Sequence, residues 1–140
     1  MKFWDSSAIV PLLINEASTP ALTGLARSDA ERVVWWGTAI ECVSALARRL
    51  RLQEIDQAAF VLATTRLTNA RRLWSEIPPS PQLRSDAERL LIKYPLTAAD
   101  AIQLAAALRA ADGAIALLAF VCLDERLSGA ARGEGFTVEP

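Results

Sequence analysis

The feature that most restricts the fold is the apolar character of the short strand-like runs. KFW (2–4), RVVWW (32–36), LLAFVCL (117–123) and FTV (136–138) are almost unbroken by polar residues, and helical patterns separate them. A strand with one wet face alternates apolar and polar residues, so a run without alternation needs cover on both faces. Such strands spaced by helices predict an α/β fold: a single-domain three-layer α/β/α sandwich whose sheet is mainly parallel and has about five strands. The remaining strand is sought in EIPPSPQ (76–82), read as a brief strand and turn. With 140 residues the chain is one domain over 1–140, long enough for a sizeable core.

The helices between these runs follow from capping residues and period. Ser6 or Ser7 starts the first, which runs through Ile14 despite Pro11, and STPALTGLARS (18–28) reads as a second. Thr38 opens a helix to about Leu52, and Asp56 caps another that continues to about Trp74. In LRSDAERLLIKY (83–94), Leu83, Ala87, Leu90 and Leu91 face inward. The segment from Ala98 to Ala111 is apolar on nearly every face, the mark of a buried helix, and Gly113 supplies its C-cap. DERLSGAARG (124–133) is a final short helix.

Composition removes whole classes of chemistry. The chain contains no histidine, so it has no imidazole base, no Ser-His or Cys-His nucleophile and no His metal ligand. Hydrolytic chemistry would have to run on carboxylates and oxygen-loving metal ions. Cys42 and Cys122 sit inside apolar runs without metal-ligand spacing and read as buried free thiols of a reducing compartment. Asp5 and Pro11 interrupt the start where a signal peptide needs an unbroken apolar stretch. The longest apolar run, AIALLAFVCL (114–123), is too short for a membrane span. The expected location is the cytoplasm. A net charge of −1 advertises no global attraction to nucleic acid, although local patches can serve.

Four carboxylates share one setting. Asp5 follows KFW and Asp124 follows LLAFVCL; Glu41 and Asp100 lie in the first turns of the helices beginning at Thr38 and Ala98. In parallel α/β sheets the strand C-termini and the next helix N-termini gather along one edge, where ligands bind. Capping accounts for each acid singly: Thr38–Glu41 and Thr97–Asp100 both fit a capping box, and Asp5 and Asp124 fit N-caps. Capping does not explain why four should gather. Converging carboxylates repel, and a divalent Mg²⁺ or Mn²⁺ ion is the natural remedy.

DSSA at Asp5, the E-x-x-S-A-L-A-R-R pattern from Glu41, TAADAIQLAAA around Asp100 and CLDERL around Asp124 together resemble a PIN-domain ribonuclease. Within that superfamily the chain is similar to VapC-type toxins of bacterial type II toxin–antitoxin systems, over nearly its whole length. The resemblance implies a Mg²⁺- or Mn²⁺-dependent endoribonuclease with a PIN-like fold. Asp5, Glu41, Asp100 and Asp124 would be its catalytic, metal-binding quartet, and Ser6 or Ser7 would place a hydroxyl near the metal and substrate. It further implies a VapB-like antitoxin that covers the site, an RNA substrate and a homodimer. Many members of that family carry Thr or Ser where this chain has Cys122, which bears on a hydrogen bond beside the site.

Other residues have two readings. Arg48, with Arg49 and Arg51, could track an RNA backbone or simply suit a helix C-terminus, and Arg66, Arg71 and Arg72 could extend a basic rim. Arg126 could meet substrate or pair with Glu125. Trp35 and Trp36 point to opposite sides of their strand, at least one of them into the core, and Trp4 packs beneath the site. The alternatives to an RNase are a non-enzymatic PIN-fold scaffold that binds RNA or protein, and a DNA-directed nuclease of the same fold.

Overall fold

The computed structural model describes residues 1–140 and has the expected layers. Five strands, β1 (Lys2–Trp4), β2 (Arg32–Trp35), β3 (Trp74–Ile77), β4 (Ala119–Val121) and β5 (Thr137–Glu139), form one sheet in the order β3-β2-β1-β4-β5, with every pairing parallel. The helices are α1 (Ser6–Leu13), α2 (Thr19–Ser28), α3 (Thr38–Arg51), α4 (Gln57–Arg71), α5 (Pro81–Lys93), α6 (Ala98–Ala111) and α7 (Glu125–Gly133).

Neighbouring strand residues feed opposite cores, as the two-residue period requires. Phe3, Val33 and Phe120 pack with α5, α6 and α7, and Phe120 stacks on Phe3 with ring centroids 5.4 Å apart. Trp4, Val34 and Val121 pack with α1 to α4 on the other face. Both faces are therefore dry, which is why the strand sequences lack alternation.

The strand order has a functional consequence. From β1 the chain moves outward through β2 to β3, and then returns to β4 on the other side of β1. Connections leaving β1 and β4 consequently cover opposite faces, which opens a crevice beyond the C-termini of these two strands. Asp5 follows β1 directly, and Asp124 is the N-cap of the helix after β4.

Several boundaries differ from the sequence reading, for identifiable reasons. Asp5, rather than Ser6 or Ser7, caps α1 through Ser7 N–H at 2.8 Å, and the helix stops at Leu13. α4 ends at Arg71 because Trp74 is already paired with Arg32 in the sheet, so the third strand starts earlier than EIPPSPQ suggests. β4 is short because Ile115–Leu117 forms a 3₁₀ turn before it. The C-cap of α6 is Asp112, with φ +43°, and the positive-φ glycine follows it. Leu91 does not face inward; it is 41% exposed. No helix is long and apolar enough to cross a membrane.

Candidate active site

The chain leaves β1 through Asp5, whose N–H still bonds to Val121 O in β4 at 2.9 Å. The extended Asp5 backbone then turns its side chain onto the first turn of α1, where Oδ2 accepts from Ser7 N–H. Asp5 is 4% exposed. Burial pushes its proton affinity above the ordinary carboxylate range; bonds from Ser7 and Ser6 pull it back in part, and the nearby Asp100 charge adds to the rise.

Glu41 has no capping role. The N-cap of α3 is Gly37, which offers no side chain, and Thr38 lies inside the helix and is fully buried. The expected Thr38–Glu41 capping box is thus absent. The Glu41 carboxylate instead reaches across the crevice: its Oε2 accepts from Ser6 Oγ in α1 and from Gln103 Nε2 in α6, each at 2.9 Å. Burial raises its proton affinity too; the bonds from Gln103 and Ser6 oppose this, and the charges of Asp5 and Asp100 reinforce it.

Asp100 does have the capping role. Thr97 Oγ1 accepts from Asp100 N–H at 3.2 Å, and Asp100 Oδ2 accepts from Thr97 N–H at 3.3 Å. Its charge nevertheless acts on both Asp5 and Glu41, so α6 begins at the same edge of the sheet. Asp124 caps α7 through Leu127 N–H at 2.8 Å. The Cys122 thiol reaches the Asp124 backbone carbonyl at 3.5 Å and Asp5 Oδ2 at 3.8 Å, which ties the Asp124 segment, though not its carboxylate, to Asp5. Burial, together with the Asp5 charge, pushes the Cys122 thiol up to about 12, so it remains protonated and serves as a donor. A thiol thus stands where the PIN-domain resemblance calls for a hydroxyl.

Three of the four acids therefore share one electrostatic environment, whereas Asp124 is linked to it only through its backbone contact with Cys122. No three acidic or thiol side chains stand close enough to form a ready-made ligand cluster. Asp100 and Asp124 each turn one oxygen back onto the N-terminus of their own helix. The donor chemistry does fit a hard divalent cation. None of the six ion pairs of the protein involves Asp5, Glu41, Asp100 or Asp124, so their charge has no internal counter-ion. The contrast is Asp29, which is buried at the other edge of the sheet but held by Trp4 Nε1 at 2.8 Å and the Met1 amino group at 3.1 Å. In Glu41, Asp100 and Asp124 the hydrogen bonds fall on one oxygen, leaving Oε1 of Glu41, Oδ1 of Asp100 and Oδ2 of Asp124 uncommitted.

The remaining expected residues divide. Ser6 binds Glu41, whereas Ser7 Oγ accepts from Leu123 N–H at 2.9 Å and meets the Cys122 thiol. Arg48 is exposed on α3 seven residues beyond Glu41, about 10 Å along the axis, so it does not belong to the acid cluster. Arg126 is exposed and makes no ion pair with Glu125. Arg49 is paired with Glu16 and Arg66 caps the Leu13 carbonyl, so neither is a free basic group. Trp36 is 52% exposed beside the crevice, and Ile40 and Val43 continue an apolar stripe along the outer face of α3. A separate apolar groove of about 460 Å³, between Trp35, α5 and the start of α6, includes none of the four acids.

Gln103, which donates to Glu41 and to Thr38, is the residue at this site that sequence reasoning missed. Gln103 is the one polar residue in the buried middle of α6 and lies three residues after Asp100, on the same face. That lone amide among Ala, Ile and Leu was the available signal. No protein-family model matches the chain, and no curated protein matches it.

Proposed function

We propose that the protein is a Mg²⁺- or Mn²⁺-dependent endoribonuclease of the PIN-domain, VapC-like kind, with Asp5, Glu41, Asp100 and Asp124 as its acidic set. The observation that carries this reading is that Glu41, held by Ser6 and Gln103, lies in the fields of Asp5 and Asp100, with none of the three in an ion pair, where the chain leaves β1 and the strand order reverses. Mg²⁺ keeps several of its waters and takes only one or two carboxylates directly, so the site does not need three side chains in mutual contact. The bound ion would supply charge neutralisation for a phosphodiester and activation of the attacking water. This chain's own residues do the rest. Ser6 and Gln103 orient Glu41, Cys122 bridges the Asp5 and Asp124 segments, and the uncommitted oxygens are the atoms that would hold the ion. Arg126, in the first turn of α7, is the arginine closest in sequence to the set and the better candidate for phosphate; Arg48 would act only on a more distant part of an RNA chain.

A VapB-like antitoxin, a homodimer and a cytoplasmic location belong to the same proposal. The exposed stripe of Trp36, Ile40 and Val43 supports a protein-covered face, and the two buried free cysteines suit a reducing compartment. A second reading, a non-catalytic scaffold, is favoured by the capping roles of Asp100 and Asp124.

The test is cleavage of single-stranded RNA by the purified chain in Mg²⁺ or Mn²⁺. EDTA should abolish it, and Asp100→Asn should reduce it at least about a hundredfold, equivalent to roughly 2.7 kcal/mol. Cleavage indifferent to both would refute the metal-dependent reading; absence of cleavage with no Mn²⁺ uptake would favour the scaffold. Preference for DNA over RNA would redirect it to a DNA-directed nuclease.

A further inference from the structure

The buried amide of Gln103 has an unusual balance of contacts. The residue is 1% exposed. Its Nε2 donates to Glu41 Oε2 at 2.9 Å and to Thr38 Oγ1 at 3.2 Å, but its Oε1 is buried with no partner. An unmade hydrogen bond at a buried carbonyl costs about 1–3 kcal/mol. Reversing the amide would be worse, because it would set a carbonyl oxygen against the Glu41 carboxylate. For packing alone, the position would suit an apolar side chain such as Leu, as at Leu104 and Leu108 of the same helix. The amide is therefore a stability liability, and its one strong engagement is with Glu41.

The second donor onto Glu41 arrives from another element. Ser6 Oγ bonds to the same Oε2 at 2.9 Å. Both donors thus hold one oxygen, from α1 and from α6, and the other oxygen carries no hydrogen bond.

We propose that Gln103 is a positioning residue that, together with Ser6, ties down Oε2 of Glu41 and leaves Oε1 alone to meet the cation. This rests on the metal-dependent reading above. Glu41 then presents a single oxygen in a fixed direction, and the rotamer entropy of a long side chain is removed before the ion arrives. The orphaned Oε1 of Gln103 follows from that arrangement, since an amide that gives its nitrogen to both Glu41 and Thr38 leaves its oxygen facing the apolar core.

Stability and metal affinity must then move in opposite directions. Gln103→Met keeps the side-chain length and removes both the donor and the orphan. Titration calorimetry of Mn²⁺ into the metal-free full chain should show binding weakened about tenfold or more, the usual scale for removing a group that orients a ligand. The melting temperature in EDTA should be unchanged or higher. Ser6→Ala, outside the core, is the second variant and should also weaken Mn²⁺ binding. A Gln103→Met protein that binds Mn²⁺ within twofold of the parent, or that loses stability while keeping its affinity, would overturn the assignment. If Gln103→Met does not fold, a Ser6→Ala protein of parental affinity overturns it equally. A parent chain that takes up no Mn²⁺ would instead remove the reading on which the proposal rests.

Discussion

Asp5→Asn separates a charge held for function from a cap held for stability. Asparagine is as good an N-cap as aspartate, and its side-chain oxygen keeps the bond from Ser7 N–H. What disappears is a negative charge that is 4% exposed, lies in the field of Asp100 and has no cationic partner. Relieving an uncompensated buried polar group is worth about 1–3 kcal/mol. At about 3 °C per kcal/mol for a domain of this size, the variant should melt roughly 3–9 °C above the parent in EDTA near neutral pH. With Mn²⁺ at about a hundred times its dissociation constant the parent gains about 2.7 kcal/mol, or roughly 8 °C, whereas the variant gains little. The advantage therefore shrinks or reverses on adding metal. The pH dependence has a definite sign. A carboxyl whose folded proton affinity exceeds its unfolded one makes the folded state hold more protons, so stability falls as pH rises between the two values. The advantage of Asp5→Asn should vanish near and below about pH 4 and grow as pH rises above it. Circular dichroism melts at several pH values, with and without Mn²⁺, read all of this. A variant less stable than the parent in EDTA would show that the Asp5 charge itself stabilises the fold and would refute a charge held for metal.

Glu134 gives the opposite pH limb. Burial alone would raise its carboxyl, but bonds from Lys93, Arg89 and Tyr94 outweigh that and hold it below its ordinary value. Glu134→Gln should cost no more than about 1 kcal/mol at neutral pH, because Lys93 and Arg89 are about half exposed. Urea titrations should show that cost disappearing as pH falls through the carboxylate range; a cost that persists at about pH 3 would mean packing rather than charge. At Gly37, an added Cβ would lie 2.3 Å from Trp35 Nε1, so Gly37→Ala must displace the indole that lines the α5–α6 groove. A loss of about 1–3 kcal/mol and a changed near-ultraviolet spectrum are expected; an unchanged spectrum would refute the close approach.

The fold was legible because burial on both faces of the sheet writes itself into the sequence as apolar runs without alternation. Phe3 beside Trp4, Val33 beside Val34 and Phe120 beside Val121 each serve two cores at once. Boundaries were less legible, because pairing overrides local pattern: Trp74 continues a helical period but is claimed by β2. Trp36 illustrates the same limit, since β2 ends at Trp35 and leaves Trp36 exposed in the turn before α3 rather than on a face of the sheet. At the site, the element order suggested one edge for Asp5, Glu41 and Asp124; that Asp100 lies near Asp5 and Glu41 depends on where α6 starts, which only the packed fold fixes. Their partners were not legible. That Glu41 binds Ser6 and Gln103 rather than capping α3 is a contact between elements distant in sequence, fixed only when α1, α3 and α6 pack together.

Whether the crevice holds a metal is decided by anomalous diffraction from crystals grown with Mn²⁺. A manganese peak is expected beyond β1 and β4, bonded at about 2.1 Å to one or two carboxylates among Asp5, Glu41, Asp100 and Asp124, with the others linked through water. A crevice without manganese at millimolar Mn²⁺, with the four carboxylates still in their capping and hydrogen-bonded positions, would contradict a metal-dependent site.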